Sequence, residues 1–383
     1  MSLHEFLDLV IRWVHLIAGI LWIGNSMLFN WLDRNLVEGK IWLLHSGGFY
    51  RVEKTLLEPD RYPAIVHWFK WQNGISWLSG ISLLVVVYYL QASAFLVDPQ
   101  VAALDPGAAV ALCVMIIVCA WLVYDVVWTA LAHHAAWATV ISFATLAALA
   151  WGLTHLLAGR AAYIHVGVVL GTLMTGNVWL HIMPSQHALV AATRAGKPQD
   201  PRLGQRAKQR SIHNNYMTYP LLFIMVSNHF PSTYSDPRAW VVLFVLMLAG
   251  AGVRHMMNIR FQYALWLPWA LAIATVGTAL LFALTARPAA ATSGGPASFS
   301  QVQGIVERRC RPCHSARPAD TTFPAPPLGV VFDSPEQVTR MAPRIGVRAV
   351  EQRSMPFLNK TAMTDGERAV LARWIADGAR GTP

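Results

Sequence analysis

Long apolar runs broken by short polar segments fill the first three quarters of the chain. Runs of spanning length fall at about 9–29, 64–90, 108–131, 137–158, 161–183, 214–230, 239–258 and 262–285. A hydrocarbon layer about 30 Å thick takes roughly 20 helical residues to cross. The pattern therefore predicts eight transmembrane helices in residues 1–286. The periodicity breaks from Arg287 to Ser298, where Pro, Ala, Gly and Ser make a linker. Residues 299–383 form a different unit. Phe299 to Arg309 reads as a short amphipathic helix. Thr364-Asp365-Gly366-Glu367 is a capping box opening a last helix. Val370, Leu371, Trp374 and Ile375 fall on one face of it, and Gly378 is placed to stop it. The fold class expected is all-α: a polytopic helical membrane bundle followed by a small helical domain.

Composition agrees with that division. The chain has 383 residues, of which 55% are hydrophobic and 13% charged. Its mean hydropathy is +0.41, which excludes an ordinary soluble globular protein. Sixteen Trp suit the aromatic belts of a membrane protein. The N-terminal apolar run lacks a basic leader and reads as a retained helix.

The net charge of +10 is unevenly placed. Segment 30–63 carries Arg34, Lys40, Arg51, Lys54 and Arg61. Segment 184–213 carries Arg194, Lys197, Arg202, Arg206, Lys208 and Arg210, and the last short loop adds Arg254 and Arg260. Segment 91–106 has no Lys or Arg, and the other two loops offer only Arg160 and Arg238. By the positive-inside rule the basic segments face the cytoplasm. Both termini then lie in the periplasm of a bacterial inner membrane. The charge marks cytoplasmic loops, and no nucleic-acid partner is expected.

The sharpest chemistry lies in Cys310-Arg311-Pro312-Cys313-His314. This is CxxCH, the attachment motif for one covalent haem c, with His314 as proximal iron ligand. A zinc or redox CxxC is the competing reading, but the tail holds no second Cys pair. Ser354-Met355-Pro356 supplies a soft thioether, so Met355 is the expected distal ligand, with Met341 and Met363 as competitors. Cys113 and Cys119 read as core thiols. Helix, CxxCH, loop, Met and terminal helix follow the order of a small class I cytochrome c, which roughly residues 297–383 resemble. Haem c attachment takes place outside the bacterial cytoplasm, in agreement with the charge pattern.

The spans also carry many ionisable residues, which are expensive there and are functional candidates by default. His15, His155, His165 and His229 fall near one face. His67, Lys70, Asp125, His133, His134, His181, His213 and His255 fall near the other. Helix–helix hydrogen bonding explains any single membrane histidine; so many invite a sharper reading. His15, His165, His181, His229 and His255 are candidate ligands of a haem b, since imidazoles from two helices can clamp an iron. His67, Lys70, Asp125 and His213 are the candidate catalytic residues. His67, Lys70 and Trp71 are expected on one helix face.

Several motifs resemble the bacterial membrane-bound urate hydroxylase family. They are Gly19-Ile20-Leu21-Trp22-Ile23-Gly24, Trp31-Leu32-Asp33, His45-Ser46-Gly47-Gly48-Phe49-Tyr50, His67-Trp68-Phe69-Lys70-Trp71 and Trp77-Leu78-Ser79-Gly80. Further matches are Val87-Tyr88-Tyr89-Leu90, Asn177-Val178, Pro184-Ser185-Gln186, Lys208-Gln209-Arg210-Ser211-Ile212-His213-Asn214-Asn215-Tyr216 and Ser227-Asn228-His229. The chain departs from the pattern at Met27-Leu28-Phe29-Asn30 and Gln72-Asn73-Gly74. The resemblance implies an eight-span domain fused to a cytochrome c. It implies oxidation of urate, or a related purine, to 5-hydroxyisourate without hydrogen peroxide. Electrons would leave through haem c to a cytochrome c oxidase or another acceptor. Two alternatives stay open: a haem b/haem c electron-transfer protein linked to quinol or a respiratory supercomplex, and a bundle that merely anchors a cytochrome. The heavy polar load of the bundle argues against the second.

Overall fold

The structure is a computed structural model describing residues 3–381 apart from 56–57, 64, 236–237, 287–294, 321–322 and 324. Most of the expected linker thus lies outside the described residues. Helix α1 (Leu3–Asn35) is followed by an antiparallel hairpin of β1 (Lys40–His45) and β2 (Gly48–Glu53). Ser46 and Gly47 turn the hairpin with positive φ at both positions (51° and 76°), the geometry that matches strand twist in a two-residue turn. This hairpin occupies a segment read from sequence as a plain basic loop.

Helix α2 (Trp71–Leu83) continues through a π-helical turn to Tyr89, and the short α3 (Ala92–Phe95) follows. Next come α4 (Pro106–Ala130), α5 (Ala135–Leu156) and α6 (Gly159–Gly176). A second π-helical segment, Asn177–Ile182, carries α6 into α7 (Met183–Arg194). Helices α8 (Pro201–Ser227), α9 (Ala239–Ile259) and α10 (Trp266–Thr285) complete the bundle.

Six described helices are long and apolar enough to cross a membrane: α1, α4, α5, the α6–α7 rod, α9 and α10. The other two runs differ from expectation for identifiable reasons. The second is helical only from Trp71, so His67 precedes the helix and does not share a face with Lys70, the residue at its N-cap. Upstream of it, Trp68 stacks on His187 (4.2 Å) and Phe69 meets Phe29 edge-on (5.0 Å), so ring packing holds the segment. The sixth run is the second half of α8, whose first half carries Arg202, Arg206, Lys208 and Arg210. Segment 184–213 is therefore mainly a helical hairpin, where a loop was expected.

Helix α6 is the centre of the bundle. Tyr163, His165, Val166, Val169 and Leu170 on it are nearly or fully inaccessible. The Tyr163 hydroxyl reaches the carbonyl oxygens of Thr233 and Ala239 at 2.7 Å each, tying α6 to the start of α9. The peripheral helices do the opposite. Only 6% of the apolar window of α1 and 11% of those of α4 and α10 are buried. Trp13, Leu16, Ile20, Val126, Leu271 and Phe282 all point outward. A contiguous apolar surface of that kind needs an apolar surrounding.

The tail folds around α11 (Phe299–Arg309), α12 (Pro335–Arg340), α13 (Ala342–Ile345) and α14 (Asp365–Ala376). Reciprocal capping boxes open α11 (Ser298 and Gln301), α12 (Ser334 and Gln337) and α14 (Thr364 and Glu367). Gly378 follows α14 with φ +90°, as a left-handed cap requires. Helices α11 and α14 pack through Val302, Ile305, Leu371 and Trp374. The tail sits against the bundle where the segments around 91–106, 157–160 and 228–239 meet. Gln100 donates to the Asn359 carbonyl (3.0 Å) and accepts from the Asn359 amide (3.3 Å). Phe95 meets Phe357 edge-on at 5.2 Å, and Leu358 packs on the bundle core. The tail thus rests on the end of the bundle that is poor in Lys and Arg.

Candidate functional site

Two arrangements carry chemistry. The first is a cleft of about 960 Å³ in the tail, closed on one side by the bundle. It is lined by Cys310, Cys313, His314, Met341, Met355 and Met363, with Phe323, Phe332 and Phe357 among its apolar walls. Helix α11 ends at Cys310, and the His314 backbone N–H returns to the Cys310 carbonyl (2.9 Å), so the turn presents both thiols and the imidazole to one space. Both cysteines are free.

Burial pushes the Cys310 thiol up to about 12 and raises Cys313 as well. That is opposite to a reactive redox CxxC, whose attacking thiol has a depressed pKa. Burial also lowers His314, favouring neutral imidazole. Its Nδ1–H donates to the Val330 carbonyl at 3.0 Å, which leaves Nε2 with a free lone pair. This is the tautomer, fixed by a backbone hydrogen bond, that a metal-ligating histidine has. Among the described residues no three His, Cys, Asp or Glu side chains converge on a metal position. A haem iron asks less: the porphyrin supplies four ligands and the protein two. His314 and a cleft methionine, with two thiols beside them, fit that demand.

The second arrangement lies inside the bundle, where α4, the π-helical segment after α6, and α8 meet. Asp125 accepts from Arg210 (2.7 Å) and lies 2.7 Å from His181 Nε2. With the carboxylate accepting, His181 Nε2 carries the proton and Nδ1 keeps its lone pair; Nδ1 is buried without a hydrogen-bond partner. The Arg210 side chain is 4% exposed, and its second terminal nitrogen also has no partner. One residue before Asp125, the Tyr124 hydroxyl lies 2.7 Å from His213 Nδ1 and receives the Asn177 amide at 2.8 Å. These two shortest contacts send the Tyr124 proton to His213 Nδ1, so His213 Nε2 bears the hydrogen. Asn177 also donates to Asn214 (2.9 Å). Trp128 covers His213 with ring centres 3.9 Å apart, and the Arg210 guanidinium lies over Tyr124 at 5.1 Å.

The π-helical segment explains why so many groups meet. One extra residue per turn rotates Asn177, Trp179 and His181 off the regular face, a feature often found at functional sites. Gly176, just before it, lets Trp121 lie against the backbone: a Cβ there would fall 2.4 Å from the ring.

Of the four residues expected to be catalytic, Asp125 and His213 belong to this cluster. Lys70 stands at its margin, over Trp71 (5.5 Å) and Trp179 (5.6 Å). His67 is exposed and touches Phe69 edge-on (4.6 Å). Among the candidate haem b ligands, His181 joins the cluster through Asp125. His15 Nδ1 lies 2.9 Å from the Ser76 carbonyl, and His165 Nδ1 lies 2.7 Å from that of Ala161. His255 is exposed beside Tyr216 (2.8 Å), and His229 is exposed after α8.

Sequence reasoning missed Arg210 as a site residue by placing it in a cytoplasmic loop. The signal was present: Arg210 falls with Ala207, Asn214, Thr218 and Leu221 on the buried stripe of α8. Arg254 was misplaced in the same way and is 4% exposed on α9. Tyr124 and Trp128 were not singled out, being hidden in a uniformly apolar run.

A helical bundle with outward apolar helices, six described helices long and apolar enough to cross a membrane, and a charged, hydrogen-bonded interior, joined to a CxxCH domain, defines a class of protein built for buried polar chemistry. Residues 1–286 match the urate oxidase N-terminal family, and the chain belongs to that family. The tail lies outside the matched residues. No curated protein and no solved structure matches the chain.

Proposed function

We propose that the protein is a membrane-embedded, eight-span oxidoreductase that hydroxylates urate, or a closely related purine, to 5-hydroxyisourate. Urate and water give 5-hydroxyisourate, two protons and two electrons. Water supplies the hydroxyl oxygen, and no hydrogen peroxide forms. The observation that carries the reading is the Asp125–His181–Arg210 constellation inside a bundle of the urate oxidase N-terminal family.

Each residue has a role its geometry supports. Arg210 pairs with the anionic purine through its unpartnered nitrogen, since a guanidinium fork suits planar anions. His181 is the proton acceptor at Nδ1, and Asp125 fixes its tautomer and stabilises the imidazolium, the logic of other His–Asp pairs. His213, fixed by Tyr124, offers an N–H to a purine carbonyl oxygen. Trp128 and Trp121 limit water around the cluster.

Cys310 and Cys313 would attach haem c, and His314 and Met355 would hold its iron. The bound group supplies one-electron redox chemistry towards an external acceptor such as a cytochrome c oxidase. Nineteen residues separate Pro106, at the tail end of α4, from Asp125, which is about 28 Å of helix at about 1.5 Å per residue. That span favours an intermediate carrier. His15, with Nδ1 held by the Ser76 carbonyl, is the better candidate to hold a haem b, since His165 is enclosed and its Nε2 already faces the Tyr89 hydroxyl at 3.3 Å. The same observation keeps a second reading in view, a haem b/haem c electron-transfer protein without a small-molecule substrate.

The test is an anaerobic reduced-minus-oxidised spectrum of the purified chain, before and after urate. Reduction of a c-type band by urate supports the enzyme. Reduction by dithionite but not by urate overturns it and leaves the electron-transfer reading. The orientation proposed places both termini and the tail in the periplasm of a bacterial inner membrane, as the basic segments at the opposite end require.

A further inference from the structure

The corner where the C-terminal ends of α1 and α9 meet α8 holds three arginines, with Arg254 and Arg260 both in electrostatic range of Arg34. Arg34 donates to the Met257 carbonyl (3.0 Å) and to Asn258 (3.2 Å), both neutral acceptors. Arg254 is 4% exposed and donates to Asn215 (3.2 Å), and its Nε is buried without a partner. Arg260 lies over the Phe261 ring at 4.8 Å and makes no ion pair among the described residues. Asp33, a carboxylate in electrostatic range of Arg34, is bonded to Lys54 at 2.6 Å. Below the arginines, Asn30 and Asn215 exchange amide hydrogen bonds of 2.9 and 3.1 Å, so their side chains are held in place.

Three guanidinium groups gathered without a matching carboxylate repel one another, and a desolvated Nε–H without an acceptor is costly. An anion entering the corner would relieve both costs. Its position narrows the chemistry. It lies at the end of the bundle opposite the tail, level with the basic hairpin, where phospholipid headgroups sit. Basic pockets between helix ends on that side suit anionic headgroups, and the guanidinium fork suits phosphate oxygens.

We propose that this corner binds the phosphate of an anionic membrane lipid, with Arg34 and Arg260 as the accessible donors and Arg254 as the inner one. The inference uses the membrane reading of the bundle but is independent of the urate reaction.

The test is native mass spectrometry of the full chain in detergent, titrated separately with phosphatidylglycerol and phosphatidylcholine and challenged with inorganic phosphate and with urate. The expected result is at least tenfold tighter retention of phosphatidylglycerol than of phosphatidylcholine. Combined Arg34→Gln and Arg260→Gln should abolish that preference while the melting temperature stays within a few degrees. Combined Lys197→Gln and Lys208→Gln removes two exposed charges elsewhere and should leave the preference intact. Equal retention of the two lipids overturns the proposal, as does an equal loss in both double variants. Displacement of the lipid by equimolar phosphate or urate overturns the lipid as occupant. Release of the native chain from membranes by alkaline carbonate would instead mark failure of the membrane reading itself.

Discussion

Asp125→Asn is the most informative substitution, because it removes one charge from a pair whose other member cannot reach water. The side chain keeps its shape and its Oδ1 acceptor, which takes both 2.7 Å contacts, but loses the negative charge that faces Arg210 and His181. Removing one partner of a fully buried ion pair costs about 3–5 kcal/mol, mostly the desolvation of the charge left behind. Here Arg210 is 4% exposed but the Asp125 side chain is 32% exposed, so solvent already screens part of the attraction. The expected cost is therefore nearer 2–3 kcal/mol, at or below the lower end of that range. A double-mutant cycle with Arg210→Gln isolates the pair, and its coupling should reach about 2 kcal/mol, since residues in direct contact do not add. The assay is reversible unfolding of the purified chain in mixed micelles, followed by circular dichroism. The same variant should reduce the rate of urate-driven tail reduction about a hundredfold or more, because His181 loses the group that fixes its proton-accepting tautomer. Reduction by dithionite should be unaffected. Wild-type stability together with additive single effects would refute the ion-pair argument. An unchanged urate-driven rate would remove Asp125 and His181 from the proposed chemistry.

On the proposed haem c ligation, Met355→His should lower the midpoint potential of the tail, since methionine ligation raises it relative to bis-histidine; a redox titration with the potential unchanged would point to Met341 or Met363 as the ligand. Gly176→Ala places a Cβ 2.4 Å from Trp121 and should cost about 1–3 kcal/mol, with loss of urate response, read by melting and by the same spectrum. Leu358→Asp should loosen the tail from the bundle, with faster elastase cleavage at the alanines between residues 286 and 298, and leave the tail's own melting transition in place. Partial burial raises the Glu367 carboxyl, but hydrogen bonds from the Thr364 backbone and Arg309 outweigh it and hold it below the usual range. Its contribution to tail stability is thus present above the unfolded-state pKa and lost as pH falls through the lower folded value. Glu367→Gln should flatten that acid limb in melts taken from pH 6 to pH 3.

The sequence made the first and last helices of the tail legible, while α12, α13 and the π-helical segment Gly346–Glu351 after them went unread. The legible signals are local: a capping serine or threonine, a glutamine or glutamate three residues on, an apolar stripe, and a motif whose spacing is its chemistry. The boundaries of α11 and α14, the Thr364 capping box and the Gly378 stop all follow from contacts within four residues. The bundle was legible only as apolar runs. Where a run ended in charge, hydropathy closed the helix, although α8 continues through Arg202, Arg206, Lys208 and Arg210. Where a run was long, it extended the helix over His67, although ring packing of Trp68 and Phe69 holds that stretch outside α2. Both π-helical turns of the bundle were invisible because nothing in composition distinguishes them from regular helix.

Arg210 shows why the interior of such a bundle resists reading from charge alone. Counting Lys and Arg assigns sides of a membrane correctly only when the charges lie beyond it, and the count took Arg210 and Arg254 as two more votes for the cytoplasm. Both are buried, one against Asp125 and the other against Asn215. The count itself survives their removal, since Arg51, Lys54, Arg202, Arg206 and Lys208 still outnumber the basic residues at the other end. The site does not survive it. Without Arg210 the cluster would hold a carboxylate and two histidines with no fixed cation, and an anionic purine would meet only negative charge. An arginine four residues before Asn214, on the same buried stripe of a helix, therefore belongs to the interior by periodicity even where hydropathy places it in a loop. In a bundle of this kind helical phase is the stronger evidence, because desolvating an unpaired guanidinium costs far more than any loop-charge preference supplies.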